Sequence, residues 1–136
     1  MSGVRDTDRG ASALLKRLRD LDRKGAIKLS VGVHPDVGAR PHPSGGTIGE
    51  VASYVELGTN HLAPAGMLRS TIDQQRVTLA DRLVEAGVNV LRGATIGEAF
   101  GPMVRTLVRD VKARTPVDTA TVRDSIEGRI DGEKVA

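Results

Sequence analysis

Ile27-Lys28-Leu29-Ser30-Val31-Gly32-Val33 alternates apolar residues with polar or small ones, the period of a strand with one face on a core. His34-Pro35 ends it. Nearly every other apolar pattern in the chain repeats at helical spacing, so this stretch decides between an all-helical protein and one with a sheet. A strand needs a partner, and the best candidate is Ser125 to Ile130, at the far end of the chain. The expectation is an α+β fold: a small antiparallel sheet packed with several amphipathic helices, two of them long.

Upstream of the strand, Leu14, Leu15, Leu18 and Leu21 recur at helical spacing between Ala11 and Gly25, which predicts an amphipathic helix entered from Ser12 or just before. Residues 1–10 are expected to be a flexible N-terminus. Downstream, Pro35 to Gly46 holds three Pro and three Gly, so 35–46 reads as an exposed loop that projects from the subunit. Thr47 with Glu50 has the spacing of a capping box, opening a short helix with Ile48, Val51, Ala52 and Val55 on its buried side and a stop near Gly58. After a loop containing Pro64, Ser70 or Thr71 starts a long helix with Ile72, Leu79, Leu83, Ala86 and Val90 as its apolar stripe, ending at Gly93. Thr95 with Glu98 repeats the capping box, and Phe100, Val104, Leu107, Val108 and Val111 predict a further helix that ends before Pro116. Residues 131–136 are expected to be a flexible C-terminus.

The 136 residues fit a single domain, 1–136. Only Tyr54 and Phe100 are aromatic. Aromatic rings bury roughly 150–250 Å² each, so a core of Val, Leu, Ile and Ala gains less per residue, which points toward an assembled state. No Cys is present, which removes disulfides, thiolate metal sites and cysteine nucleophiles. No apolar run approaches the roughly 20 residues that span a bilayer, and the polar segment Met1 to Arg9 leads into no apolar region. The expectation is a mature, soluble protein.

Twenty basic residues against 17 acidic ones give +3. Residues 1–28 carry eight basic side chains and four Asp, interleaved along the predicted first helix, so this excess reads as a solvated face. The three His, at 34, 42 and 61, sit in or beside predicted loops without the i, i+4 pairing of a helical zinc site. They are read as loop surface, with no metal. No Gly-x-Ser-x-Gly elbow occurs, and the glycines form no phosphate-binding fingerprint. No catalytic residue and no cofactor is expected.

Two segments are more informative. The first is Val51-Ala-Ser-Tyr-Val-Glu-Leu-Gly-Thr59, followed by Ala63-Pro-Ala-Gly-Met-Leu-Arg69; the second is Thr115-Pro-Val-Asp-Thr-Ala-Thr-Val-Arg-Asp-Ser-Ile126. Together with the early Val31-Gly-Val33 they resemble the tailed-bacteriophage neck proteins called tail-completion, head-tail joining or virion morphogenesis proteins. In that family a helix ending Ala-x-Tyr-x-Glu-Phe-Gly-Thr is followed by a Pro-x-Arg-Pro-Phe-Leu-Arg segment opening a long helix, and a Thr-Pro-Val-Asp-Thr-Gly-x-Leu-Arg-x-Ser-Ile segment leads into a strand. The resemblance covers roughly residues 28–130. It departs at Leu57, where the family has an aromatic, and at Gly66 and Met67 in place of Pro-Phe, so looser packing is expected at those positions; Ala120 in place of Gly implies a turn there that needs no positive φ.

The resemblance implies a virion structural protein at the head-tail junction, assembled in the host cytoplasm. It would form a homo-oligomeric ring, with a hexamer among the allowed forms, beside adjacent phage neck and tail proteins, with no membrane contact. The motif residues Tyr54, Glu56, Gly58, Thr59, Pro64, Arg69, Pro116, Asp118, Thr119, Arg123 and Ser125 are the candidate interface. Read without the family, Asp118 and Thr119 suit an N-cap that aims Val122 and Ile126 inward. Glu56 and Arg69 are placed to pair across their loop, as bracing or as an inter-subunit contact. Arg105, Arg109 and Lys112 form a basic stripe with three readings: a solvated face, a patch for an acidic neighbour, or a channel wall in passing contact with genomic DNA. The alternative class is a small basic nucleic-acid-binding or regulatory module, supported by the pI of about 9.7 and the Arg-rich first helix.

Overall fold

The computed structural model describes residues 2–116 and 119–135. Its elements are α1 (Ser2–Lys24), β1 (Leu29–Gly32), α2 (Pro35–Gly38), α3 (Ile48–Leu57), α4 (Met67–Leu91), α5 (Ile96–Arg114), α6 (Ala120–Asp124), β2 (Glu127–Ile130) and β3 (Glu133–Lys134). The fold is α+β, with α4 and α5 as long helices against an antiparallel sheet of order β1-β2-β3. No helix among the described residues is long and apolar enough to cross a membrane.

The alternation in β1 sets the sheet. Leu29 pairs with Ile130, Ser30 with Arg129, Val31 with Gly128 and Gly32 with Glu127. Leu29, Val31 and Ile130 pack into the core between the sheet and the helices, while Ser30 lies on the solvent face with Arg129 across from it. A two-residue turn, Asp131 at φ 50 and Gly132 at φ 85, then returns the chain as β3, the backbone twist of a tight hairpin. The segment 131–135, expected as a flexible C-terminus, is instead paired: Val135 donates its N–H to Gly128 O at 2.8 Å, and its side chain packs on the core.

Backbone helix begins at Ser2, within the stretch expected to be flexible. The segment 35–46 is not a structureless loop. Pro35 starts the short α2, whose Val37 is buried, and Gly38 Cα lies against Gly49 at the start of α3. The rest is pinned by a bridge between Pro41 and Thr47 and by His42 N–H donating to Gly46 O at 3.0 Å. Proline pre-sets the backbone angle of a first helical turn, so a composition that reads as a loop folds as a turn of helix over a small apolar anchor.

Two clusters make the core. One gathers Ala52, Val55, Met67, Val111, Val122 and Ile126; the other Ala86, Val90, Phe100, Met103 and Val104, with Val31 and Val108 touching both. The approach of β2 to α5 is set by Gly128, where a Cβ would overlap Val104 Cγ1 and sit 3.0 Å from Val108 Cγ2. Gly128→Ala is therefore expected to cost about 1–3 kcal/mol through overpacking. Chemical denaturation checks it, and an unchanged midpoint would contradict so close an approach.

Candidate functional site

The first motif builds a corner between α3 and α4. Helix α3 starts at the Thr47 box, where Glu50 N–H donates to Thr47 Oγ1 at 3.2 Å and Thr47 N–H to Glu50 Oε2 at 3.1 Å. It ends at Gly58, at φ 79, where a Cβ would lie 2.8 Å from both Leu62 O and Pro64 N. No other residue fits that backbone in that space. Thr59 Oγ1 accepts from His61 N–H at 3.2 Å and Leu62 N–H at 3.1 Å, and Thr59 N–H donates to Leu62 O at 2.8 Å. The chain then doubles back and uses carbonyls the helix end leaves unpaired: Ala65 N–H reaches Val55 O at 2.8 Å and Gly66 N–H reaches Glu56 O at 3.2 Å.

Helix α4 has no cap of its own, since its N-cap is Gly66 in the left-handed region. Its cap comes from the preceding helix. Glu56 Oε2 accepts from Leu68 N–H and Oε1 from Arg69 N–H, both at 3.0 Å. A carboxylate here satisfies two orphan donors and faces the positive end of the helix dipole. The expected Glu56–Arg69 side-chain pair is thus replaced by a bond to the Arg69 backbone, and the Arg69 side chain is exposed. The same cap explains why α4 begins at Met67 rather than at Ser70 or Thr71; Thr71 Oγ1 is buried and donates to Met67 O, within the helix, at 2.6 Å.

The second motif joins the first at Met67. The Thr115 hydroxyl donates to Val111 O at 3.0 Å and lies 3.2 Å from Met67 Sδ. Val122 and Ile126 are buried in the same cluster, as expected. Thr119 is not the expected cap: its side chain accepts no bond from the helix and donates to Pro116 O at 2.7 Å. Asp118 lies outside the described residues. Arg123 faces Asp124 at 3.6 Å, and Ser125 Oγ donates to Thr121 O at 2.7 Å, both local contacts. The looser packing expected at Met67 is not found in the side chain itself, which is 1% exposed. Beside it, however, a cavity of about 230 Å³ lined by Ala52, Leu57, Met67 and Leu68 opens to solvent. Leu57 is 76% exposed, and Tyr54 and Leu62 are exposed with it, as is Pro64.

The basic stripe stays on the outside of α5. Arg105 folds back over Gly101, Arg109 pairs with Asp110 at 3.3 Å, and Lys112 is half-buried. Sequence reasoning missed the polar seam behind it. Gln75 Nε2 donates to Asp110 Oδ2 at 2.6 Å, and this bond, with the nearby Arg109, holds the Asp110 carboxyl below its ordinary range against the opposing effect of burial. Arg114 donates to Thr71 Oγ1 at 3.2 Å and to Gln74 Oε1. Helices α4 and α5 are thereby fixed in register.

A second missed cluster covers the outer sheet face. Arg129 Nη2 donates to Asp36 Oδ1 at 2.8 Å and to Glu127 Oε2 at 3.2 Å, and Lys134 Nζ lies 3.4 Å from Glu127 Oε1. Ser30 Oγ and His34 Nε2 are hydrogen-bonded at 2.8 Å, but His34 Nδ1 is buried without a partner. In a Ser–His–acid triad that second nitrogen is held by a carboxylate; here the nearby Asp36 is bonded to Arg129. Among the described residues no group of three or more His, Asp or Glu is arranged to hold a metal. Compared with protein-family models, with curated proteins and with solved structures, the chain finds no match in any of the three.

Two measurements follow from this geometry. Glu56→Ala is expected to destabilise the protein by about 1–2 kcal/mol, the usual loss for a cap, with Glu56→Gln intermediate; equal stability of all three chains would remove the cap. Burial, then Arg129, pushes the His34 pKa below its ordinary 6.5, so the folded state keeps a neutral imidazole. The unfolded chain takes the proton first, and stability should fall as pH drops below about 6.5. A second fall is expected near and below pH 4, as Asp36, held low by its Arg129 bond, and Asp131, held low by its Lys24 bond, protonate. His34→Gln should flatten the first fall and leave the second, read from melting temperatures between pH 3 and 8.

Proposed function

We propose that this chain is a structural subunit of the tailed-bacteriophage virion neck, a tail-completion or head-tail joining protein that acts as a ring at the head-tail junction and has no catalytic role. One observation carries the reading. The two segments that resemble the neck proteins lie about fifty residues apart in the chain, yet they meet at Met67, which contacts Thr115 and packs with Val122 and Ile126. They act as one structural unit, which is what a shared family pattern requires. In a ring each subunit presents one surface to the neighbour ahead and a different one to the neighbour behind. Tyr54, Leu57 and Leu62 at the exposed corner suit contacts with the neck or tail protein above or below. The basic stripe suits an acidic neighbour or weak attraction to passing DNA, since three charges per subunit multiply around a ring. Arg105 and Arg109, both exposed, also favour the second reading, a small nucleic-acid-binding module.

The test is genetic. In the virus that encodes the chain, deleting its gene should leave filled heads and complete tails unjoined, and adding purified protein to the lysate should restore infectious particles. Normal joining without the protein would overturn the neck reading. Retention on DNA that disappears with rising salt, together with normal joining, would establish the alternative.

A further inference from the structure

Among the described residues, helix α1 is attached by its C-terminal half. Arg17 Nη1 donates to Leu91 O at 2.8 Å, Leu21 packs on the core, and Lys24 pairs with Asp131 at 2.8 Å. Its apolar stripe is otherwise uncovered: Leu14, Leu15 and Leu18 are 42, 51 and 44% exposed. Helix α4 has the matching anomaly. Its core face holds Thr71, Ala86 and Val90, yet Val77, Val84 and Val88 are 76, 69 and 38% exposed. With Ala80 they fall at i, i+3, i+7 and i+11, a straight apolar strip on the side away from the core. A solvated helix has no use for such a strip.

The charges beside the two strips are opposite. At about 3.6 residues per turn, Arg17, Arg19 and Lys24 against Asp22 border the α1 leucines, with Lys16, Asp20 and Arg23 on the far side. The α4 strip is flanked by Asp73, Asp81 and Glu85. Asp73 is bonded to Arg76 at 3.0 Å, whereas Asp81 and Glu85 are in no ion pair among the described residues. Pairing α1 with α1, or α4 with α4, sets like charges together; pairing α1 with α4 sets opposite ones together. The lengths also agree, since Ala11 to Leu21 and Val77 to Val88 each run about 15–17 Å at 1.5 Å per residue.

We propose that the leucine face of α1 docks on the valine face of α4 in a second copy of this chain, with Arg19 facing Asp81. The two faces are different surfaces of one subunit, so the contact is heterologous and repeats around a closed ring. This deepens the ring reading above and rests on it for closure.

The absence of cysteine from the chain makes the test specific. Leu15→Cys and Val84→Cys chains, each altered at an exposed position, are mixed at high concentration and treated with a short bis-maleimide. The expected product is a covalent dimer containing one chain of each kind, formed at least about tenfold more than either self-linked dimer. Arg19→Asp should suppress it, and Asp81→Arg in the partner should restore it. Predominant linkage of Leu15→Cys to itself, or no linkage in a sample that elutes as a multimer, would overturn this interface while the unjoined-heads phenotype still supported the neck reading. No linkage in a sample that is monomeric throughout would overturn the interface as well.

Discussion

The Glu56 carboxylate on the N-terminus of α4 is the contact on which the rest of the structure depends. Helix α4 is the longest element of the chain, and it opens on a glycine that supplies no cap. Two of its first N–H groups are satisfied only because α3 ends one turn away and delivers Glu56 to them. That bond fixes the angle between α3 and α4, which brings Met67 to the centre of one core cluster. Later parts of the chain meet in that cluster: α5 at Val111, α6 at Val122, and the residue that leads into β2 at Ile126.

With few aromatic rings, the protein depends on close approach and on polar seams. Gly128 lets the sheet settle directly on Val104, and the Asp110–Gln75 and Arg114–Thr71 bonds hold α5 beside α4 where large side chains would otherwise interlock. The open space beside Met67 and Leu57 is the mark of the same shortage. An economical core leaves apolar residues for the outside. The strips on α1 and α4 accordingly stay exposed within the subunit.

What could be read from the sequence was what is local. The Thr47–Glu50 and Thr95–Glu98 boxes place the starts of α3 and α5 because a capping box is contained in four residues. The alternation of Ile27 to Val33 yields β1 and its pairing with the segment before Ile130. The start of α4 was not legible, because its cap is a side chain 12 residues upstream whose role only the folded corner reveals. Leu14, Leu15 and Leu18 were recognisable as a helical stripe, but spacing says which residues share a face and not whether this chain covers it. The Asp131-Gly132 turn was a readable hairpin signal, hidden by its position five residues from the end. The charge cluster around Arg129 unites Asp36 with a residue 93 positions later, beyond the reach of any local pattern.

The claim that Glu56 organises the α3–α4 corner is tested most directly by amide hydrogen exchange in the intact protein. In a helix without a cap the first-turn N–H groups exchange as freely as those of a loop. The Leu68 and Arg69 amides are expected to be as protected as those in the middle of α4, and Glu56→Gln is expected to weaken this protection without altering that of α5. Rapid exchange at Leu68 and Arg69 in the unaltered chain would contradict it.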